Sequence, residues 1–253
     1  MSEHETTSGL SREGRRNFFA KLGAAALIPV TSGVTLVSLS GAGDSNASAS
    51  SEHRYGLLID TTRCAEGCDA CVQGCNEEHG LRGTGRPETD AQWIRKVTVE
   101  DTLSKRVSSL PLMCQHCAHP PCVDVCPTGA SFKRADGIVL VDKHTCIGCR
   151  YCMMACPYKA RSFVHEPLSD QKSYSPRGKG TVESCTLCVH RIDEDNSSKP
   201  ACVEACDRDG HNAMLFGDLA DPDSALSVTL RNSANTEIRE DLGLDTGVRY
   251  GGL

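Results

Sequence analysis

The feature that most limits what this chain can fold into is its set of sixteen cysteines, all placed beyond residue 63 of a 253-residue sequence. They fall into four groups of four. The sharpest is CIGCRYCMMACP, where Cys146, Cys149, Cys152 and Cys156 precede Pro157. Three thiolates at i, i+3 and i+6 let one short loop wrap three irons of a cubane, while the fourth, carried off on the following helix, reaches a different cluster. That spacing points to [4Fe-4S] binding.

A second group, CQHCAHPPCVDVCP, holds Cys114, Cys117, Cys122 and Cys126, with Pro120 and Pro121 stiffening its longer loop. Aligned on their last cysteines, the two groups read CPTGASF and CPYKARSF, an internal repeat. Between them SFKRADGIVLVDKHTC carries Asp136-Gly137, a signal for a type I′ turn between two strands. Cluster loop, helix, hairpin and cluster loop follow one another as in a two-cluster bacterial ferredoxin. The outer groups are weaker signals. CAEGCDACVQGC uses Cys64, Cys68, Cys71 and Cys75; the last group is split between Cys185, Cys188 in ESCTLCVHR and Cys202, Cys206 in PACVEACD.

Two other uses of cysteine compete. Disulfides would force neighbouring thiols of x2-spaced triplets into strained pairings. Zinc sites use two pairs rather than triplets ending in Cys-Pro, so zinc stays open chiefly for the split fourth group. Composition agrees with a fold tied by metal. Aromatic content is 4% and the 39% hydrophobic fraction includes the cysteines, a thin core for this length. A net charge of -6 argues against a nucleic-acid partner.

The first 49 residues read as a leader. Arg15-Arg16-Asn17-Phe18-Phe19-Ala20-Lys21 supplies paired arginines before an apolar stretch from Leu22 to Ser40, and Ala47-Ser48-Ala49 is a small-residue cleavage signal. The competing reading is a retained membrane anchor, since the apolar stretch is nearly long enough to span. A twin-arginine leader and a cluster-rich chain explain each other: clusters are loaded in the cytoplasm, so their protein must be exported folded.

From about His53 onward the chain resembles the four-cluster iron-sulfur subunits related to dimethyl sulfoxide, polysulfide and nitrite reductase systems. HRYGLLIDTTRC, TDAQWIRKV, the two central cysteine groups, HNAMLFGDL and DLGLDTGVRYGGL carry the resemblance. It implies an α+β fold of tandem ferredoxin-like [4Fe-4S] dicluster modules, a central unit inserted in an outer one. The expected division is a leader at 1–49, outer halves at 50–106 and 167–217, a central module at 107–166, and a C-terminal arm at 218–253. It also implies a ligand pairing: Cys64, Cys68, Cys71 and Cys206; Cys75, Cys185, Cys188 and Cys202; Cys114, Cys117, Cys122 and Cys156; Cys126, Cys146, Cys149 and Cys152. The implied protein is a non-catalytic, periplasmic electron-transfer subunit with four clusters in a membrane-bound respiratory complex of sulfur metabolism. Its implied partners are an integral membrane quinone-interacting subunit and a multihaem cytochrome, with no nucleic acid and no small-molecule substrate of its own. The alternative is the electron-feeding subunit of an exported molybdopterin oxidoreductase. Two departures stand out: three residues between Cys64 and Cys68, which Gly67 would absorb, and Asp207 rather than proline after Cys206.

Residues 131–163 carry Lys133, Arg134, Lys143, Arg150, Lys159 and Arg161 against Asp136 and Asp142, whereas the outer groups are acidic: Glu66, Asp69, Glu77, Glu78, Glu183, Asp193, Glu194, Asp195, Glu204, Asp207 and Asp209. This predicts higher potentials for the central clusters, against the alternative that salt screens such charges. His116 and His119 are expected to hydrogen-bond to sulfur or backbone rather than ligate iron. Trp93 and Tyr250 are expected to pack, a helix is expected near Asn235 to Leu242, and the arm either docks on a partner or folds back. His144, His165, His190 and His211 give no signal.

Overall fold

The computed structural model describes residues 25–31, 34–39, 49–169 and 171–253. Strands β1 (Ala25–Thr31) and β2 (Val34–Leu39) pair antiparallel and form a unit separate from residues 47–253. Arg15, Arg16 and Ala47-Ser48 lie outside the described residues. Among the described residues no helix is long and apolar enough to cross a membrane.

The larger unit is a mixed α/β arrangement of short helices and small sheets. Its widest sheet centres on β3 (Tyr55–Asp60), whose YGLLID sequence is buried almost throughout, as a strand covered on both faces requires. β10 (Met214–Asp218) lies antiparallel on one side with Met214 opposite Ile59, and β12 (Val248–Gly251) lies parallel on the other with Val248 opposite Leu57. The two-residue β11 (Asn235–Thr236) completes the order β10-β3-β12-β11. Three two-stranded ribbons accompany it: β4 (Ile94–Glu100) with β5 (Val107–Met113), β6 (Ser131–Lys133) with β7 (Val139–Val141), and β8 (Arg161–Phe163) with β9 (Val182–Ser184).

Helices α1 (Ala70–His79) and α5 (Ala201–Arg208) pack against each other, and small residues set their closeness. A Cβ on Gly74 would lie 2.7 Å from Ala205 Cβ and 3.0 Å from the Ala201 carbonyl oxygen, so only glycine admits this approach. Gly80, at φ 62°, closes α1 in the left-handed conformation with its N–H on the Asn76 carbonyl. Shorter helices α2 (Pro121–Asp124), α3 (Tyr151–Ala155) and α4 (Val189–Glu194) each follow a cysteine loop, with proline at the start of α2.

The 218–253 segment is not a free arm. α6 (Ala225–Asn232) is capped by Ser224, which accepts the Ser227 N–H at 3.1 Å. The expected helix near Asn235 to Leu242 is instead β11 and a 3-10 turn at Glu240–Leu242. The chain then enters the sheet as β12, where Tyr250 is fully buried, donates to the Pro111 carbonyl at 3.1 Å and accepts from Gln115 Nε2 at 3.2 Å. Parallel pairing with β3 satisfies a strand edge that would otherwise be left open.

The hairpin turn also differs. β6 and β7 close at Lys133 opposite Val139, leaving residues 134–138 in the loop, with Arg134 N–H on the Ile138 carbonyl and Gly137 N–H on the Arg134 carbonyl. Gly137 alone of the Asp136-Gly137 pair has positive φ, at 84°, so a type I turn followed by a left-handed glycine replaces type I′. Asp136 is held in place because its buried carboxylate accepts from the Ile138 N–H at 3.2 Å and from Arg134 Nη2 at 2.9 Å.

Candidate functional site

None of the sixteen cysteines, all among the described residues, is joined to another in a disulfide. Cys71 and Cys75 stand one turn apart on α1, and Cys202 and Cys206 one turn apart on α5, so the Gly74 contact brings four thiols to one helix pair. Cys64, Cys68, Cys71 and Cys206 line one apolar void with Ile59, Pro111, Met214 and Lys96. Cys75 faces Cys185, Cys202 and Cys188. Cys117 faces Cys114, Cys122 and Cys156. Cys152 faces Cys146. These sets adjoin in series: Cys75 and Cys202 lie toward Cys71, Cys185 toward Cys114, and Cys152 toward Cys122. Burial follows the same line. The thiols of the two middle sets are all buried, whereas Cys64 and Cys68 at one end and Cys126 and Cys146 at the other are half-buried, and Cys149 is exposed.

Such packing is unfavourable for thiols alone. Burial pushes Cys71 and Cys114 up to about 12 and Cys188 to about 11, and drives Cys75 and Cys202 well above the ordinary thiol value. Yet donors converge on the sulfurs. Backbone N–H groups of Ser131, Val182, Leu187, Ala201 and Ala213 point at Cys126, Cys146, Cys185, Cys188 and Cys206, at 3.3–3.4 Å. Lys96 Nζ donates to Cys64 Sγ at 2.8 Å, Arg161 Nη2 to Cys122 Sγ at 3.0 Å, and His79 Nε2 lies 3.4 Å from Cys188 Sγ. Thiols this deep ionise only when a metal takes the place of the proton, and the donors present suit the resulting anions. The residues therefore fit iron-sulfur clusters.

Lys96 and His79 were not visible as site residues. Lys96 reaches Cys64 from β4, across 32 residues of chain, with no local signal. His79 had one: it stands four residues after Cys75 on α1 and so shares its face. His116 hydrogen-bonds to backbone, Nδ1 accepting from the Val139 N–H at 3.1 Å. Asp209 and His211 gather beside Cys68, with Cys68 Sγ 3.3 Å and His211 Nε2 3.2 Å from Asp209 Oδ2. Of the two departures, Gly67 adopts φ 76° in the longer loop, and Asp207 is matched by Lys199 at 2.8 Å.

Several of the counted charges are held by partners other than the thiols. Arg134 is held by Asp136 and Asp193, Lys133 donates to the Ala118 carbonyl, and Arg150 stacks over Phe163 at 3.8 Å. Glu78 is neutralised by Arg191 at 2.6 Å and His190 at 2.7 Å, which hold its carboxyl down to about 2. Glu183 sits on β9 beside the central ribbon, paired to Arg177.

Cysteine loops feeding short helices between ribbons define an iron-sulfur protein of the ferredoxin-like dicluster class. A family model described as a 4Fe-4S dicluster domain matches residues 105–219. The chain is 40% identical over 227 residues to the Hdr-like menaquinol oxidoreductase iron-sulfur subunit 1 of Archaeoglobus fulgidus, covering 80% of this chain and 84% of that protein. It is 35% identical to a tetrathionate reductase subunit of Salmonella typhimurium, covering 94% of this chain and 88% of the relative. With a sulfite dehydrogenase subunit of Allochromatium vinosum it shares 39% identity, over 77% of this chain and 81% of that one. The chain belongs to this family of iron-sulfur, electron-transfer subunits of oxidoreductase complexes.

Proposed function

We propose that the chain holds four [4Fe-4S] clusters in a row and relays single electrons between two partners. In this reading Cys64, Cys68, Cys71 and Cys206 hold the first; Cys75, Cys185, Cys188 and Cys202 the second; Cys114, Cys117, Cys122 and Cys156 the third; Cys126, Cys146, Cys149 and Cys152 the fourth. The carrying observation is the serial electrostatic coupling of the thiol sets, each influencing the next, from Cys71 through Cys75, Cys185, Cys114 and Cys122 to Cys152. Bound clusters supply one-electron chemistry. The chain fixes their order, excludes water from the middle, and leaves its least buried cysteines at the two ends, where partners gain access. The first and second clusters belong to an outer module, built by α1 with α5 and β3 with β10, into which the central module is inserted.

Export through the twin-arginine leader places the relay in the periplasm. There it serves a membrane-bound respiratory complex of sulfur metabolism, of the kind whose ferredoxin-like subunit is known as DsrO, between a quinone-interacting membrane subunit and a multihaem cytochrome. The tetrathionate reductase and sulfite dehydrogenase relatives support a second reading, the electron-feeding subunit of an exported molybdopterin oxidoreductase. A large molybdopterin protein among neighbouring reading frames selects the second; a membrane protein with a multihaem cytochrome selects the first.

The test is iron and sulfide per chain on anaerobically purified protein, with an EPR-monitored reductive titration. About sixteen irons and four reducible signals are expected. About eight irons would restrict loading to one cluster pair and sink the four-cluster relay.

A further inference from the structure

The buried guanidinium of Arg161 has no carboxylate partner among the described residues. Arg161 is 5% exposed, opens β8, and among the described residues no carboxylate lies within ion-pair distance of it. Its Nη2 donates to Cys122 Sγ at 3.0 Å, while Nε and Nη1 are buried without any hydrogen-bond partner. A charge removed from water without a partner is costly to keep. Among the described residues no cation hydrogen-bonds to the second set, whose side-chain donor is the imidazole of His79.

Resting on the four-cluster reading above, the structure assigns to Arg161 a shared role: one guanidinium placed between the third and fourth cysteine sets, setting the reduction potentials of both clusters together. Its reach divides between the sets: it hydrogen-bonds to Cys122 of the third and couples electrostatically to Cys114 of the third and Cys152 of the fourth. A planar fork serves two neighbours at once, with Nη2 on one sulfur and the orphaned donors left for other acceptors; a lysine ammonium is a single point. The bound clusters, with their thiolates, supply the missing anionic charge. A positive charge held in this dry interior favours the more negative, reduced state of each neighbour. Arg161 is thus a positioning and potential-setting residue; it makes no covalent bond and carries no electron.

The test is potentiometric EPR on the loaded, full chain carrying Arg161→Gln or Arg161→Lys, with iron counted for each. For Arg161→Gln, two of the four midpoint potentials are expected to fall together, each by a tenfold or larger change in the reduction equilibrium, about 59 mV for one electron, with the other two unmoved. Arg161→Lys keeps the charge but not the fork, so it is expected to restore one of the two and leave the other lowered. Lys96→Gln is the control, moving a single, different signal. Should Arg161→Gln fail to load, Arg161→Lys decides: unequal shifts in two signals support the assignment, and four unchanged potentials overturn it. A fall in one signal only for Arg161→Gln, or none, with iron intact, also overturns it. Fewer than four reducible signals in the wild-type protein would instead mark failure of the four-cluster reading itself.

Discussion

His79 Nε2 lies 3.4 Å from Cys188 Sγ while its Nδ1 lies 2.9 Å from Ser175 Oγ, so one buried imidazole joins a cysteine to a hydroxyl. A thiolate can only accept, which places the ring proton on Nε2 and makes Ser175 the donor to Nδ1. Burial holds the imidazole's pKa down to about 3, so the ring reaches Cys188 as a neutral donor. Trp93, its ring centre 4.4 Å away, fixes the plane. His79→Phe keeps the packing and removes the donor. One of the reducible signals is expected to move to lower potential, by less than for a lost cation, and Ser175→Ala should give a smaller shift of the same signal. Unchanged potentials in both variants would show that the contact only fills space.

Gly74→Ala tests whether the helix pair positions the outer cysteines. The new methyl would lie 2.7 Å from Ala205 Cβ, and relief requires α1 and α5 to separate. Overpacking of this kind costs about 1–3 kcal/mol, against which helix propensity returns about 1 kcal/mol. Separation pulls Cys71 and Cys75 from Cys202 and Cys206, so iron is expected to fall toward about eight per chain while the central pair stays loaded. Wild-type iron with wild-type signals would mean that cluster assembly overrides the helix contact.

The pattern of loops was legible because cluster ligation is a short-range constraint: spacing within CIGCRYCMMACP and CQHCAHPPCVDVCP dictates loop and helix without reference to the rest of the chain. What escaped depended on distant pairing. β12 sits parallel to β3 across about 190 residues, and nothing local in VRYG distinguishes a sheet strand from the tip of an arm. Lys96 reaches Cys64 only because the β4–β5 ribbon folds over the first cysteine loop. The acidic tally could not register pairing: Glu78 meets Arg191 across 113 residues, and Glu183 meets Arg177 six residues before it. The Asp136-Gly137 pair signalled a turn correctly but not its type, because burial of the Asp136 carboxylate holds that residue out of the left-handed region.

His116 gives the fold a pH limit. Its Nδ1 accepts the Val139 N–H at 3.1 Å, which requires the neutral ring, and burial lowers its pKa to about 3. Unfolded, the ring titrates near 6.5. Between those values the unfolded chain binds a proton that the folded chain refuses, so stability falls as pH drops, by about 2 kcal/mol at pH 5, and is fully present above 6.5. His116→Asn retains an acceptor, tolerates the positive φ of 44° at this position, and does not titrate. Thermal loss of cluster absorbance, followed anaerobically from pH 7.5 to 5, should therefore fall less steeply for His116→Asn than for the wild type. Parallel profiles would exclude His116 as the source.

Arg177 and Glu183 form a fork inside the protein: Nε donates to Oε2 at 3.0 Å and Nη2 to Oε1 at 2.7 Å, with Glu183 fully buried. Arg177 Nη1 also donates to the carbonyl of Gly80, the residue that ends α1, so the pair ties β9 to the helix bearing Cys71 and Cys75. Desolvation makes such a pair a weak source of net stability but a costly one to break. Glu183→Leu leaves a buried guanidinium without its anion and is expected to cost about 3–5 kcal/mol. Arg177→Met together with Glu183→Leu removes both charges and should recover most of that loss, leaving the Gly80 carbonyl as the remaining unmet group. The comparison is read from the anaerobic temperature of cluster release in the two single variants and the double. If the double variant were as unstable as Glu183→Leu, the cost would lie in packing or in the Gly80 link rather than in an uncompensated charge.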